Sequence, residues 1–373
     1  MSTYQLILDG TPVDDGFYDS ISSLQVEENA DLPDALRLVL PVTTANDDLT
    51  WVSDDRLRPF ANIAVVVAPD DGPAQCIFDG YVLSHTTHLQ AGITASTLEV
   101  LGQDASVLMG LEEKVREWSG LTDGAVANQV FSQYGFKPDG GNTNDDSPAH
   151  TEDAHTLMQR GSDIDFLRVL ARRTGRWCRV RCDAAAGQRI GYFAVPDLAG
   201  DPVVTLDLND PTKSQVQSLD FRWDVTRPNK VAARQASLTD SDSGGVSADT
   251  SDSGLPRLDA RDLRAFAGRD TTVMLTAAGD DSELPSRARA LLRDAAWFAR
   301  CEGTADISTV KKVLRVGSVV EIEGVGTLLS GSYLITSVRH TITTNAHAMA
   351  FTLARNAVGP ATSGGGGLPA GLP

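Results

Sequence analysis

The chain has 373 residues, 41% hydrophobic and 22% charged, a globular composition with room for two domains of ordinary size. Fifty acidic residues against 32 basic ones leave a net charge of −18, which opposes nucleic acid or anionic membrane binding across the whole surface. No run approaches the roughly eighteen apolar residues of a membrane span, and Met1–Gly10 has neither a basic start nor a long apolar core, so no signal peptide is expected and the protein is expected to be made and folded in a cytoplasm.

The first hundred residues carry strand patterns. Tyr4 to Leu8 alternates, Ile21 to Val26 and Ala35 to Leu40 continue in the same style, and Ile63 to Val67 is a buried-type apolar run. Cys76 to Ser84 and Ala95 to Leu101 form a hairpin-like pair around a turn at Gln90-Ala-Gly92. Short strands at regular spacing predict a sandwich or barrel.

The pattern then turns helical. A helical stretch is expected from Asp104 to Met109 and a second helix from Asp123 to Gly135, where Val126, Val130, Phe131 and Tyr134 share one stripe. The loop Pro138–Pro148 has no apolar residue to bury. A third helix runs from Ser162, a predicted N-cap with Asp165 three residues on, to Gly175, with arginines in its last turns where the helix dipole favours cations.

Strands resume at Trp177–Cys182, Ile190–Val195 and Val216–Trp223. The stretch 237–254 is almost wholly Ser, Asp, Thr and Gly, a mobile loop by composition. An amphipathic helix is expected over Leu284–Phe298, and strands over Val319–Glu323, Gly331–His340 and Met349–Arg355, before a flexible Gly/Pro tail. The plan is therefore mainly β with helical insertions: a β module over 1–115, a helical insert over 116–175, a second β module from 176–235 and 305–358, a loop and helix over 236–304 inserted into it, and the tail 359–373.

Catalytic motifs are nearly absent: no nucleophile elbow, no phosphate-binding loop and no zinc-protease helix motif occurs. Gly324, Gly326 and Gly331 lie between two strands, which makes them a hairpin turn. Of the six histidines, His85, His88, His150, His155, His340 and His347, the first two point to opposite faces of a strand, while His340 and His347 flank a turn and are expected to pack at the surface. Cys76, Cys178, Cys182 and Cys301 form no CxxC, and reduced, partly buried thiols are expected, with Cys178 and Cys182 on one strand face. The acidic loop Asp240–Asp249 lacks the ligand spacing of a calcium loop, and Asp163 with Asp165 suit the start of a helix better than a glycosidase pair. No metal, cofactor or catalytic residue is expected.

Several segments together resemble the phage late control protein D family, the hub proteins of contractile tails and the N-terminal part of VgrG-type spike proteins. They are Phe78-Asp-Gly-Tyr-Val82 followed by Leu98–Asp104, Gln129–Phe136, Gln159–Gly175, Arg222–Pro228, Gly331–His340 and Phe351–Asn356. The resemblance implies two β-barrel modules like tail-tube subunits and a homotrimeric ring that adapts a sixfold inner tube to a threefold spike, with other baseplate components as further partners. It implies a structural protein without enzymatic activity; a tail-associated peptidoglycan hydrolase and a cell-wall-binding module are the alternatives. VgrG-type proteins continue into a spike, so a separate spike protein is expected here. The candidate interface residues are Arg168, Arg172 and Arg173 on the third helix and Trp223 and Arg227 in the Arg222–Pro228 segment.

Overall fold

The structure is a computed structural model. It describes residues 3–359 apart from 46–47, 71, 92–94, 152–155, 210–215, 236–245 and 277–280. His155, the core of the Ser/Asp-rich loop and the Gly/Pro tail thus fall outside the described residues.

The N-terminal half supplies six principal strands: β1 (Thr3–Leu8), β2 (Ser23–Asn29), β3 (Ala35–Pro41), β4 (Asn62–Ala68), β5 (Gln75–His88) and β6 (Thr97–Asp104). In β2, β3 and β6 every second side chain is buried, the signature of a sheet with one face on a core. The apolar run in β4 is buried on both faces, because Ala64 and Cys76 meet Cys182 on the side away from the main core.

The helical region contains β7 (Glu113–Trp118), α1 (Asp123–Gln133), β8 (Leu157–Ser162), α2 (Asp163–Thr174), β9 (Trp177–Cys182) and β10 (Arg189–Ala194). It has its own core, in which Trp118, Val126, Phe131, Leu167, Val180 and Phe193 pack together. Residues 177–194, whose pattern groups them with the second β module, pair with each other and cover α1 instead. Gly191 permits this, since a Cβ there would lie 2.2 Å from the Phe131 ring. The helix expected over Asp104–Met109 is a 3-10 segment, Ala105–Gly110. The Asp104 carboxylate accepts from Ser106 N at 2.7 Å and caps it.

The C-terminal half adds β11 (Thr205–Asp207), β12 (Ser218–Trp223), β13 (Lys230–Gln235), β14 (Thr272–Thr276), α3 (Leu284–Ala295), β15 (Ala299–Asp306), β16 (Val319–Glu323), β17 (Gly331–Ile342) and β18 (His347–Arg355). β12 pairs antiparallel with β15, so the intervening chain, including the β13–β14 pair and α3, forms a satellite that packs around Val231, Leu284, Ala288 and Leu292.

The two halves are edges of one 13-stranded sheet. Its order is β12–β15–β18–β17–β2–β3–β6–β5–β4–β1, with Thr11–Pro12 beyond β1, β16 attached to the first part of β17 and β11 attached to β16. The seam is antiparallel, from Ser337 opposite Asn29 to Ile342 opposite Leu24. One apolar core crosses it, with Leu24, Leu38 and Leu98 from one half and Val338, Phe351 and Leu353 from the other. The mainly β class with helical insertions is therefore the observed one.

Candidate functional site

Ser162 begins α2 as the sequence predicts: its hydroxyl accepts from Asp165 N and bonds the Asp165 carboxylate at 2.7 Å. Gly175 ends the helix at φ +66°, and a Cβ there would lie 2.9 Å from Ala290 Cα in α3. Glycine thus supplies both the left-handed turn and the close approach of the two helices.

Three charge clusters fasten this region. In the first, Asp123 at the start of α1 receives Arg173 Nη2 at 2.6 Å and Arg173 Nε at 3.1 Å, and His150 Nε2 lies 2.8 Å away. Burial alone would push the Asp123 carboxyl up, but hydrogen bonds from His150 and Arg173 and their charges hold it below the usual range. In the second, Arg176 reaches Asp145 at 3.1 Å and Asp146 at 3.2 Å, while Arg293 of α3 grips Asp146 at 2.7 Å and donates to Thr174 O at 2.8 Å. The polar loop 138–148 is thereby pinned between α2 and α3 by arginines rather than by apolar packing.

The third cluster joins the helical region to the sheet seam. Arg179 of β9 lies 3.1 Å from Asp34 and 3.6 Å from Glu28, Arg315 pairs with Glu28, and Asp104 accepts from Asp34 N at 2.5 Å. Burial pushes Asp34 and Asp104 up to about 6 against the pull of Arg179 on Asp34 and of the Ser106 hydrogen bonds on Asp104. Three carboxylates facing two guanidiniums leave surplus negative charge, which a proton relieves as the pH falls through about 6.

Between α2, α3 and the outer face of β15, β18 and β17 lies a cleft of about 960 Å3. Seven arginines line it. Arg173, Arg176, Arg287 and Arg293 are committed to Asp123, Asp145, Asp146 and Glu283. Arg168, Arg172 and Arg300 make no ion pair among the described residues. Trp177, Trp297 and Leu291 give the walls an apolar part, and Asp31, Asp294 and Glu302 interrupt the positive lining.

The predicted interface residues therefore separate. Arg172 and Arg168 face the cleft, while Arg173 is spent on Asp123 within the chain. Arg227 caps the end of α3, its Nη1 donating to Asp294 O and Trp297 O at 3.0 Å each. Trp223 is half exposed beside Phe266, with ring centres 5.5 Å apart. Sequence reading missed Arg300, whose only signal is its place on a strand face shared with Glu302.

The histidines differ from expectation. His340 and His347 do meet, at 3.0 Å between Nδ1 and Nε2, but both are buried under the hairpin rather than packed at the surface. Burial and the neighbouring His347 drive His340 well below the ordinary imidazole value, and burial brings His347 to about 4. All four cysteines are free and buried, Cys178 and Cys182 on one strand face. Among the described residues no group of three potential ligands could hold a metal ion.

The sequence profile described as the Alg8 N-terminal domain matches residues 1–344. The chain belongs to the Alg8 N-terminal domain family. No curated protein sequence matches it. Among solved structures, this family member shares its fold with phage tail proteins and with a component of the type VI secretion system. The 43 kDa tail protein of prophage MuSo2 from Shewanella oneidensis superposes with a TM-score of 0.66 at 14% identity, over 95% of this chain and 99% of that one. The tail protein of Neisseria meningitidis MC58 gives 0.66 at 13% identity, over 95% and 97%. The E. coli c3393 protein, a component of the type VI secretion system with structural similarity to the T4 bacteriophage tail proteins gp27 and gp5, gives 0.56 at 12%, over 94% and 76%.

Proposed function

We propose that the chain is a structural subunit of a phage-tail-like contractile injection particle, placed at the baseplate hub. The observation that carries this reading is the correspondence along nearly the whole of two tail proteins' own lengths, helical region included. In this reading three copies form a ring whose six β halves match a sixfold inner tube above, with a threefold spike protein below and other baseplate components around it. The role is scaffolding without catalysis, which is supported by Asp123, Asp163 and Glu28 being engaged by arginine, lysine or histidine inside the chain. Among the described residues no helix is long and apolar enough to cross a membrane.

Light scattering of the purified chain over a concentration range tests the ring. The expected mass is about 119 kDa, three times the 39.7 kDa of one chain. A chain that stays near 39.7 kDa at every concentration removes the ring from the proposal.

A further inference from the structure

The arginine cleft has features that internal packing does not explain. Arg168 Nε, Arg287 Nε, and Arg176 Nε and Nη1 are buried donors that meet no acceptor among the described residues, and all three side chains line the cleft. A buried donor without an acceptor costs free energy that a bound acceptor would return. Arg172 and Arg300 stand near Asp31 without an ion-pair contact. Seven arginines against the three acidic residues Asp31, Asp294 and Glu302 line this cleft in a chain of net charge −18.

We propose that the cleft receives an acidic segment of another polypeptide, with carboxylates on Arg168, Arg172 and Arg300 and apolar side chains against Trp177 and Trp297. Guanidinium groups hold carboxylates through paired N–H bonds, and a cleft with low-dielectric walls strengthens them. A nucleic acid fits less well. Its unbroken row of phosphates would set negative charge against Asp31, Asp294 and Glu302, whereas carboxylates spaced by apolar residues pass between them. The cleft touches the turn after β2, α2, α3 and the C-terminal strands, so its occupant would contact the N-terminal half, the helical region and the C-terminal half at once.

The test uses the full chain and a short fluorescein-labelled peptide alternating Glu and Leu, followed by fluorescence anisotropy at low ionic strength. Saturable binding is expected, weakening as salt rises and falling about tenfold or more when Arg172→Glu and Arg300→Glu are combined. The Arg172→Gln with Arg300→Gln pair should lose less in the same direction, which keeps the test valid if charge reversal disturbs folding. Arg269→Glu, an exposed position outside the cleft, should bind as the unaltered chain does. The proposal is overturned by absence of saturable binding, by an equal loss in Arg269→Glu, or by an equal affinity for a Lys-Leu peptide. It is also overturned if a single-stranded oligonucleotide displaces the peptide at comparable concentration. Binding is read on the isolated chain, so a monomer that takes the peptide would sink the ring and leave the cleft standing.

Discussion

The sheet seam and the helical region are joined to the molecule by opposite physics. Across the seam, Leu24, Leu38, Val338 and Leu353 share an apolar core that carries no charge for salt to screen. The helical region meets the sheet through Arg179, Asp34, Glu28 and Arg315, and its loop meets α3 through Arg176, Asp146 and Arg293. Apolar area stabilises without specifying orientation, whereas a buried guanidinium with two carboxylates tolerates one geometry. The first joint supplies strength and the second supplies register.

The sharpest way to break this contrast is Arg179→Ala. It leaves Asp34 buried without its ion-pair partner and Glu28 held by Arg315 alone, and should cost about 3–5 kcal/mol, read as a lower denaturant midpoint. Replacing Arg179 by Met together with Asp34 by Leu should recover most of that loss, because the uncompensated charge goes with the pair. Leu38→Ala in the shared core should cost about 2–5 kcal/mol, with no salt dependence to accompany it. A loss at Leu38 that shrinks at high salt would refute the division of roles.

Acid separates the two joints by sign. His347 titrates near 4 in the folded chain and near 6.5 when unfolded, so the unfolded chain takes up the proton first. Its contribution is complete above pH 6.5 and falls by about 3 kcal/mol by pH 4. Asp34 and Asp104 act the other way. Their folded values of about 6 exceed the unfolded carboxylate value, so the folded chain binds protons first and gains stability as pH falls through 6. A His347→Gln chain should therefore lose less stability between pH 6.5 and 4 in denaturant titrations, and an unchanged acid slope would count against the buried pair as its source. At the bottom of the scale, a double-mutant cycle on the half-exposed Arg37–Glu99 pair should return under about 1 kcal/mol, vanishing in salt.

The strands were legible where one face is wet: alternation in Ser23–Asn29 and Ala35–Pro41 mirrors the buried positions of the sheet. The α2 helix was legible from Ser162 and Gly175, whose local chemistry leaves little choice. The ribbon of Glu113–Trp118 with Leu157–Ser162 was not, because charged residues interleave with Val115 and the partners lie some forty residues apart. Arg173 was read as a candidate interface residue, whereas it pairs within the chain with Asp123, fifty residues earlier, a partner to which no local pattern ties it. The cleft was invisible for the same reason: Arg172 and Arg300 come to line one cleft only in the folded chain, from segments far apart in sequence.

The seam also imposes a timetable. Ser23–Asn29 leaves the ribosome some three hundred residues before the strand that covers its open side, which ends at Ile342. At about 5–20 residues per second, that edge waits for tens of seconds with its backbone donors and acceptors unpaired. A nascent chain meeting another copy in that interval offers it the same strand edge, so crowding on a polysome is where this fold is most exposed to mispairing.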